Sequence, residues 1–214
     1  MAEQLFLSFW LRGFRGETML RHFGRMLDRF PFSTQSAGQR MLRIYAIEFV
    51  EPSLVDYPIP AETSPDEIVE TARPFMNGDC GCLLEGAWDL WQYDNRWKLR
   101  PSPVTLACFG PQFNNDWGDH LRIEAGFDSH FLPQPRIPDS EAKIQSNIRG
   151  LLRLAHELDG ALPVDNRWTR GCSGPSPERT SLSGCNPRLP SRPWQGTTFC
   201  HGLPGPSYPF NTRS

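Results

Sequence analysis

The sequence predicts an α+β domain: a mainly antiparallel sheet with about three helices packed on one face, followed by a disordered tail. Apolar segments of strand length outnumber helical ones, and several are separated by turns too short for a parallel crossover. Three longer segments place apolar residues at the spacing of one helical face. The composition then changes abruptly near residue 166, beyond which the aliphatic residues that a core needs become scarce.

The first two predicted elements are a buried strand and an amphipathic helix. Residues 5–11 form an apolar run of strand length, bounded by Gly13 and Gly16, which predicts a largely buried strand. Residues 17–30 then repeat apolar side chains on one helical face, and Pro31 ends that pattern. The apolar positions of this helix are Met19, Leu20, Phe23, Met26, Leu27 and Phe30.

The next segment predicts a second strand and a second helix. Residues 41–50 read as a strand with a bend near its end, with Phe49 or Val50 as its last inward residue. The prolines between residues 52 and 60 predict an extended link or an edge strand. A helix start follows at residues 64–67, where a serine precedes a proline and two acids, and an apolar stripe continues from it.

The middle of the chain predicts a run of strands. Residues 87–93 are rich in aromatic side chains, Asp94 and Asn95 form a turn signal, and residues 97–99 start a return strand. Residues 104–109 are another apolar run of strand length. Tight turns between neighbouring strands make the predicted sheet mainly antiparallel.

The segment before residue 166 predicts a loop, a half-exposed strand and a long helix. Residues 114–119 are polar and predict a loop, while residues 121–127 alternate apolar with polar or small side chains. A proline-rich linker at residues 133–138 leads to the clearest helix of the chain, residues 140–158, which ends before Gly160. The predicted order of elements is therefore β α β α β β β α.

The segment from residue 167 to residue 214 differs in composition from the rest of the chain. It holds 8 Pro, 6 Gly and 7 Ser and contains no Ile, Val or Met. We therefore predict one domain at residues 1–166 and a low-complexity, disordered tail at residues 167–214. A second interpretation is an out-of-frame reading of a GC-rich gene, in which the native carboxy-terminus differs from Arg167 onward. One continuous reading frame through that codon in the source gene would remove this hypothesis.

Charge and hydropathy restrict the partners that the domain can have. Residues 1–166 include 16 basic and 23 acidic side chains, a formal charge of −7, whereas residues 167–214 include 6 and 1, a charge of +5. A domain of −7 repels phosphate backbones, so we expect no nucleic-acid partner for it. No segment approaches the ~20 apolar residues that span a bilayer, and no secretion signal is present. We predict a cytoplasmic protein with reduced thiols and no membrane span.

Two cysteines form a short motif that could bind a metal. Cys80 and Cys82 are separated by one residue and are predicted to lie in a loop after the second helix. Structural zinc sites combine two ligand pairs, commonly with a two-residue spacer, and Cys108 is predicted inside a strand. The alternative is that these cysteines pack as small apolar groups. Glycine-rich phosphate motifs are missing as well, so we predict no cofactor.

The polar loop at residues 114–120 could carry a catalytic site. Asp116, Asp119 and His120 lie within it, and a histidine beside carboxylates can act as a general base. Asx residues and glycine also dominate turns for backbone reasons, so a plain hairpin loop is the alternative. No nucleophile motif accompanies these residues. One hypothesis for the function is therefore a small hydrolase-like or metal-assisted enzyme centred on this loop.

An aromatic strand pair is the strongest candidate for a binding surface. Trp88, Trp91, Tyr93 and Trp97 lie within ten residues. A hairpin at 94–95 places Trp91, Tyr93 and Trp97 on one face and Trp88 on the other. A two-layer fold cannot bury both faces, although an aromatic-rich core sheet would also explain the pattern. The leading hypothesis is a non-catalytic protein-interaction module that binds another protein through this pair and an acidic surface.

Overall fold

The computed structural model describes residues 4–36 and 38–171, which form an antiparallel sheet of seven strands and three α-helices. The predicted α+β class is confirmed. The strands lie in the order β3-β2-β4-β5-β6-β1-β7. In chain order the elements are β1 (Gln4–Leu11), α1 (Gly16–Arg29), β2 (Arg40–Ala46), β3 (Val55–Ile59), α2 (Pro65–Ala72), β4 (Cys80–Asp94), β5 (Arg96–Phe109), β6 (Leu121–Phe127), α3 (Ser140–Ala161) and β7 (Val164–Gly171).

The main core lies between the helices and one face of the sheet. Alternate strand residues such as Leu42, Leu84 and Leu106 are fully buried, and they form one cluster with Phe23 and Met26 of α1. Burying a large apolar side chain contributes about 1.5–3 kcal/mol, so this layer supplies most of the hydrophobic stabilisation. Among the described residues, no helix is long and apolar enough to cross a membrane.

The second helix begins where the sequence predicts. The backbone N–H of Glu67 donates to the Ser64 hydroxyl at 3.3 Å, and the Glu67 carboxylate accepts from the Ser64 N–H at 2.9 Å. This reciprocal pair satisfies two N–H groups that have no partner within the helix. The cap therefore fixes the start of α2 at Pro65.

The β4–β5 hairpin is longer than the sequence indicates. The return strand predicted to start at residues 97–99 and the apolar run at residues 104–109 form one strand, β5, despite Pro101 and Pro103. Pro101 pairs with Asp89 of β4, and Pro103 pairs with Ala87. At both positions the backbone nitrogen of the proline points away from β4 and toward the β6 side of the strand. The pairing with β6 starts only at Thr105, so neither proline removes a ladder hydrogen bond.

The second strand ends earlier than predicted. β2 stops at Ala46, and Ile47 has a φ of 67°, which is rare for a β-branched residue. The prediction that this strand continues to Phe49 or Val50 is wrong, since both residues lie in the turn after β2 and are 41% and 87% exposed. The chain instead leaves the sheet at Ile47 and returns as β3.

The two edges of the sheet are β3 and β7. In β3, Pro58 pairs with Met41, whose backbone groups face β4, so the proline nitrogen points out of the sheet. β7 pairs antiparallel with β1 along Val164–Gly171, so the boundary predicted at residue 166 lies inside a strand. The sequence of β7 is polar because an edge strand buries little, which is why apolar patterning missed it. The rest of the predicted tail, residues 172–214, lies outside the described residues.

Candidate functional site

A second, smaller apolar cluster covers part of the sheet face that the helices leave open. It consists of Ala107, Phe109 and Phe113, with Tyr45 and Leu83 packed against it. Phe113 comes from the loop after β5 and stacks on Phe109 with ring centroids 5.6 Å apart. This cluster anchors the two loops that flank the start of β4.

The turn between β2 and β3 presents an exposed apolar surface beside that cluster. We define the turn patch as Ile47, Phe49, Val50 and Leu54, which are 57%, 41%, 87% and 58% exposed. Isolated exposed apolar residues are normal on a protein surface, but four within so short a segment form a local concentration. Such concentrations mark surfaces that contact another molecule.

The turn patch is held in place by backbone and side-chain contacts. The N–H of Ile47 donates to the Asp79 carbonyl at 2.7 Å, and the Ile47 carbonyl accepts from the Asn114 N–H at 2.6 Å. Glu48 accepts a further bond from the Asn114 side chain at 2.9 Å. The ring of Phe49 packs edge-on against Phe113 with centroids 5.1 Å apart. The surrounding structure thus fixes a strained turn, which is a feature of binding and switch regions.

The predicted aromatic strand pair is only partly a surface. Trp88 is 6% exposed and lies in the core, where its ring packs edge-on against Phe30 at 5.7 Å. Trp91 lies under the ammonium group of Lys143, which is 3.6 Å from the ring centroid. Its backbone N–H donates to the Asn147 side chain at 2.9 Å. Trp91 therefore takes part in attaching α3 to the sheet, whereas Trp88 belongs to the core.

The remaining aromatic residues of the hairpin pair across its strands. Tyr93 and Trp97 have ring centroids 5.4 Å apart, and Tyr93 is 41% exposed. The indole N–H of Trp97 donates to the Pro138 carbonyl at 2.6 Å, which attaches the linker before α3. Of the four predicted binding residues, Tyr93 is the most available to a partner.

The carboxylates of the 114–120 loop have different environments. Asp116 is exposed, whereas Asp119 is 1% exposed. Both oxygens of Asp119 accept from the Arg122 guanidinium, at 2.7 and 2.8 Å. Arg122 in turn lies over the ring of Trp117, 4.2 Å from its centroid. Arg122 belongs to the strand that the sequence predicts to be half-exposed, but its side chain is buried because this loop covers it.

His120 is also committed to the fold. Its Nδ1 accepts from the backbone N–H of Leu11 at 2.8 Å, and its ring stacks on Phe14 with centroids 4.2 Å apart. Burial lowers the pKa of His120, with Asp119 opposing the shift. Because Nδ1 accepts from Leu11, the neutral ring carries its proton on Nε2. Neither ring nitrogen is then a free acceptor, which a general base requires.

The two candidate metal-binding cysteines lie at the start of β4, not in the predicted loop. The long hairpin includes them, and Cys82 faces Cys108 across the strands. All three thiols are buried, and burial raises the pKa of each. Metal ligation needs the thiolate, which this environment disfavours. In residues 4–36 and 38–171, no three His, Cys, Asp or Glu side chains form a group that could hold a metal ion.

Comparison with known protein families, characterised proteins and solved structures gives no match. The turn patch is the surface that sequence reasoning missed. Its signal was the alternation of apolar residues with Glu48 and Glu51 before Pro52, which fits a turn better than a buried strand end.

Proposed function

We propose that the domain is a non-catalytic protein-interaction module that binds its partner through the turn patch. The observation that carries this proposal is the presence of four exposed apolar side chains on one turn whose backbone is hydrogen-bonded to Ile44, Asp79 and Asn114. A surface that is ordered before binding loses little conformational entropy in the complex, which favours affinity. The anchored ring of Phe49 gives the patch a fixed aromatic contact, the residue class that dominates interface energies.

The charge around the patch indicates the chemistry of the partner. Glu48 and Glu51 lie between its apolar residues, and the acids of residues 1–166 outnumber the basic side chains by 23 to 16. A second copy of the domain would bring these acids face to face, which electrostatic repulsion opposes. We therefore expect another protein, with an apolar segment flanked by basic residues.

The exposed end of the β4–β5 hairpin is a separate surface. Tyr93 lies near the end of β4 and Cys80 at its start, which separates the two by about 40 Å. One short segment of a partner cannot contact both Tyr93 and the turn patch. The larger apolar exposure at the turn patch supports it as the main contact.

The alternative enzyme hypothesis has less support. Asp119 is bound to Arg122, and both ring nitrogens of His120 lack a free acceptor lone pair. Asp116 is exposed, and neither Asp119 nor His120 is available to act with it as a catalytic acid or base. This commitment of the loop residues to packing favours the interaction module.

The experiment that tests this function combines cross-linking with a matched pair of variants. A photoreactive benzoylphenylalanine in place of Val50, introduced in cells, would trap the molecule that contacts the patch. The trapped protein is then purified, and its affinity is measured for the native chain, for Leu54→Asp and for Leu152→Asp. Leu54 and Leu152 are 58% and 60% exposed, so the control matches in residue type and exposure.

We expect Leu54→Asp to weaken the complex at least ~10-fold, because it buries a charge in an apolar interface. Leu152→Asp should leave the affinity unchanged, and both variants should unfold at the same temperature as the native chain. A partner bound equally by both variants, or the absence of any cross-link at Val50, would refute the proposal.

A further inference from the structure

The strand β7 forms an edge of the sheet that no described strand covers. It is the last strand in the order of the sheet and pairs only with β1. Its eight residues exceed the about five or six of a typical strand, and Val164–Gly171 contains no proline and no lysine. Proteins commonly blunt an exposed edge with these residues, as Pro58 does in β3. An edge without such protection is a template for another strand.

The backbone of β7 presents hydrogen-bonding groups to the outside of the sheet. Trp168 pairs with Ser8, whose backbone groups face β7, so the N–H and C=O of Trp168 point toward β1. The N–H and C=O of Arg167 and Thr169 therefore point outward, because these groups alternate along a strand. The side chains of residues 165–169 are all exposed, so nothing among the described residues covers this part of the edge.

Trp168 is an exposed aromatic residue at the centre of this edge. Its side chain is 45% exposed. It lies on the sheet face that the helices leave open, because it pairs with Ser8, which alternates along β1 with the core residues Leu7 and Phe9. Tryptophan is among the residues that dominate the energies of protein interfaces. Burial of the exposed part of this ring would therefore stabilise a complex formed at the edge.

The charges near Trp168 do not oppose pairing with a second copy of the chain. The Arg167 guanidinium forms an ion pair with the Asp159 carboxylate of α3 and donates to the Ala155 carbonyl at 3.5 Å. The full chain has a formal net charge of −2, so the long-range repulsion between two copies is weak. Closed two-fold dimers are also the commonest form of soluble oligomer.

We propose that the protein forms a two-fold symmetric dimer in which the β7 strands of two copies pair antiparallel, with the axis at Trp168. In this register Arg167 of each copy is opposite Thr169 of the other, and each such pair exchanges two backbone hydrogen bonds. The two Trp168 side chains face each other where cross-strand side chains are closest. A register with Arg167 opposite itself would bring like charges together, which disfavours it.

The dimer leaves the turn patch of each copy free. Four strands separate β7 from β2, so the two edges of the sheet lie about 24 Å apart at these strands. The dimer therefore uses a different surface from the proposed interaction with a partner protein, and each proposal can be correct without the other.

Sedimentation velocity of the full chain at ~1 to ~100 µM tests the dimer. We expect the mean mass to approach that of two chains as the concentration rises. Thr169→Pro should keep the ladder between β1 and β7, because the Thr169 N–H points outward. It should nevertheless raise the dissociation constant of the dimer at least ~10-fold, because it removes an outward donor. Thr169→Val is the matched control, since it keeps the backbone donor and should dimerise like the native chain.

Charges at position 168 test the register and keep the test decisive if Thr169→Pro does not fold. Trp168→Asp and Trp168→Lys should each dimerise at least ~10-fold more weakly than the native chain, because like charges would face each other at the axis. An equimolar mixture of the two variants should dimerise more strongly than either alone, since opposite charges then meet. Tyr93→Asp is the control, because Tyr93 is 41% exposed on the β4–β5 hairpin and should leave the dimer unchanged.

Several results would overturn the proposal. These are a full chain that stays monomeric over this range, a dimer that Thr169→Pro and the charged variants leave unchanged, or a mixture no more dimeric than its components. A monomeric chain whose edge instead binds another protein, with binding lost in Thr169→Pro, would assign the edge to that protein. Dimers of a chain ending at Gly171, but not of the full chain, would assign it to later residues of the same chain.

Discussion

Asp119 and Arg122 are the most deeply buried of the ion pairs that join described residues, with side chains 0% and 9% exposed. The flat guanidinium lies between the rings of Phe109 and Trp117, at 4.8 and 4.2 Å. The pair therefore holds the 114–120 loop over the sheet face that the helices leave open. Its value to the fold depends on both partners, because either charge alone would be buried without compensation.

At the residue scale we predict that Asp119→Asn destabilises the domain by about 3–5 kcal/mol, because Arg122 loses its counter-ion inside the protein. Urea denaturation at neutral pH measures this change in the free energy of unfolding. Glu70→Gln is the control, since it breaks an exposed pair with Arg73 and should change little. Equal effects of the two substitutions would show that the buried pair does not hold the loop.

The residues of this loop could be named from the sequence, but their roles could not. Asp119 and His120 stand next to each other in a polar segment, which is also what a catalytic loop looks like. Their partners are Arg122 and the backbone of Leu11, and the contact to Leu11 joins residues 109 positions apart. Nothing local in the sequence distinguishes a histidine that accepts from a distant backbone N–H from one that faces a substrate.

At the scale of elements, one buried side-chain amide of α3 forms three hydrogen bonds, two of them with the backbone of β4. The Asn147 side chain accepts from the Trp91 N–H at 2.9 Å and donates to the Trp91 carbonyl at 3.0 Å. It also donates to the His130 carbonyl at 2.8 Å. These contacts satisfy the outer edge of β4 beyond the point where its pairing with β2 ends at Glu85.

We predict that Asn147→Leu destabilises the domain by about 3 kcal/mol, because three part-buried backbone groups of Trp91 and His130 lose their partner. Hydrogen exchange should also show faster exchange of the Trp91 amide. Gln145→Leu serves as the control, since Gln145 lies on the same helix but is exposed. An unchanged Trp91 amide in Asn147→Leu would contradict the role given to this side chain.

Elements with strong apolar patterning could be predicted, and those at edges or with prolines could not. The stripe of α1 and the capping sequence of α2 are local signals, and both helices begin within a residue of their predicted starts. The sequence predicts the start of β5 at residues 97–99 and an apolar run at 104–109, but it does not show that Pro101 and Pro103 lie within one strand. A proline removes a ladder hydrogen bond only where its nitrogen faces a paired strand. The nitrogens of Pro101 and Pro103 face the side of β6, and β6 pairs with β5 only from Thr105 onward.

At the scale of the whole molecule, β7 completes the sheet by covering the outer edge of β1. Its register runs from Leu11↔Val164 to Leu5↔Gly171. Five of the seven pairs involve residues after Asn166. The ordered domain therefore extends at least to Gly171, and the change in composition near residue 166 precedes the end of the sheet.

We predict that a chain ending at Asn166 is less stable than one ending at Gly171 by at least ~2 kcal/mol, since each backbone hydrogen bond contributes ~0.5–1.5 kcal/mol. The midpoint of urea unfolding for the two truncated chains measures the difference. As a control for chain length, Trp168→Pro in the chain ending at Gly171 removes a ladder donor without shortening the strand, because Trp168 pairs with Ser8, whose backbone groups face β7. Equal midpoints for the two truncated chains would mean that β7 adds nothing to the sheet.

The outward nitrogen of Pro58 bears on how copies of the domain can associate. A sheet that continues from molecule to molecule into a fibre needs two edges that accept a neighbour, one on each side. Along β3 the proline presents no N–H to a neighbour, so that edge is a poor template. Strand-to-strand growth through β7 would then stop at two copies. Pro58 in the edge strand β3 thus limits open-ended polymerisation of this seven-stranded sheet.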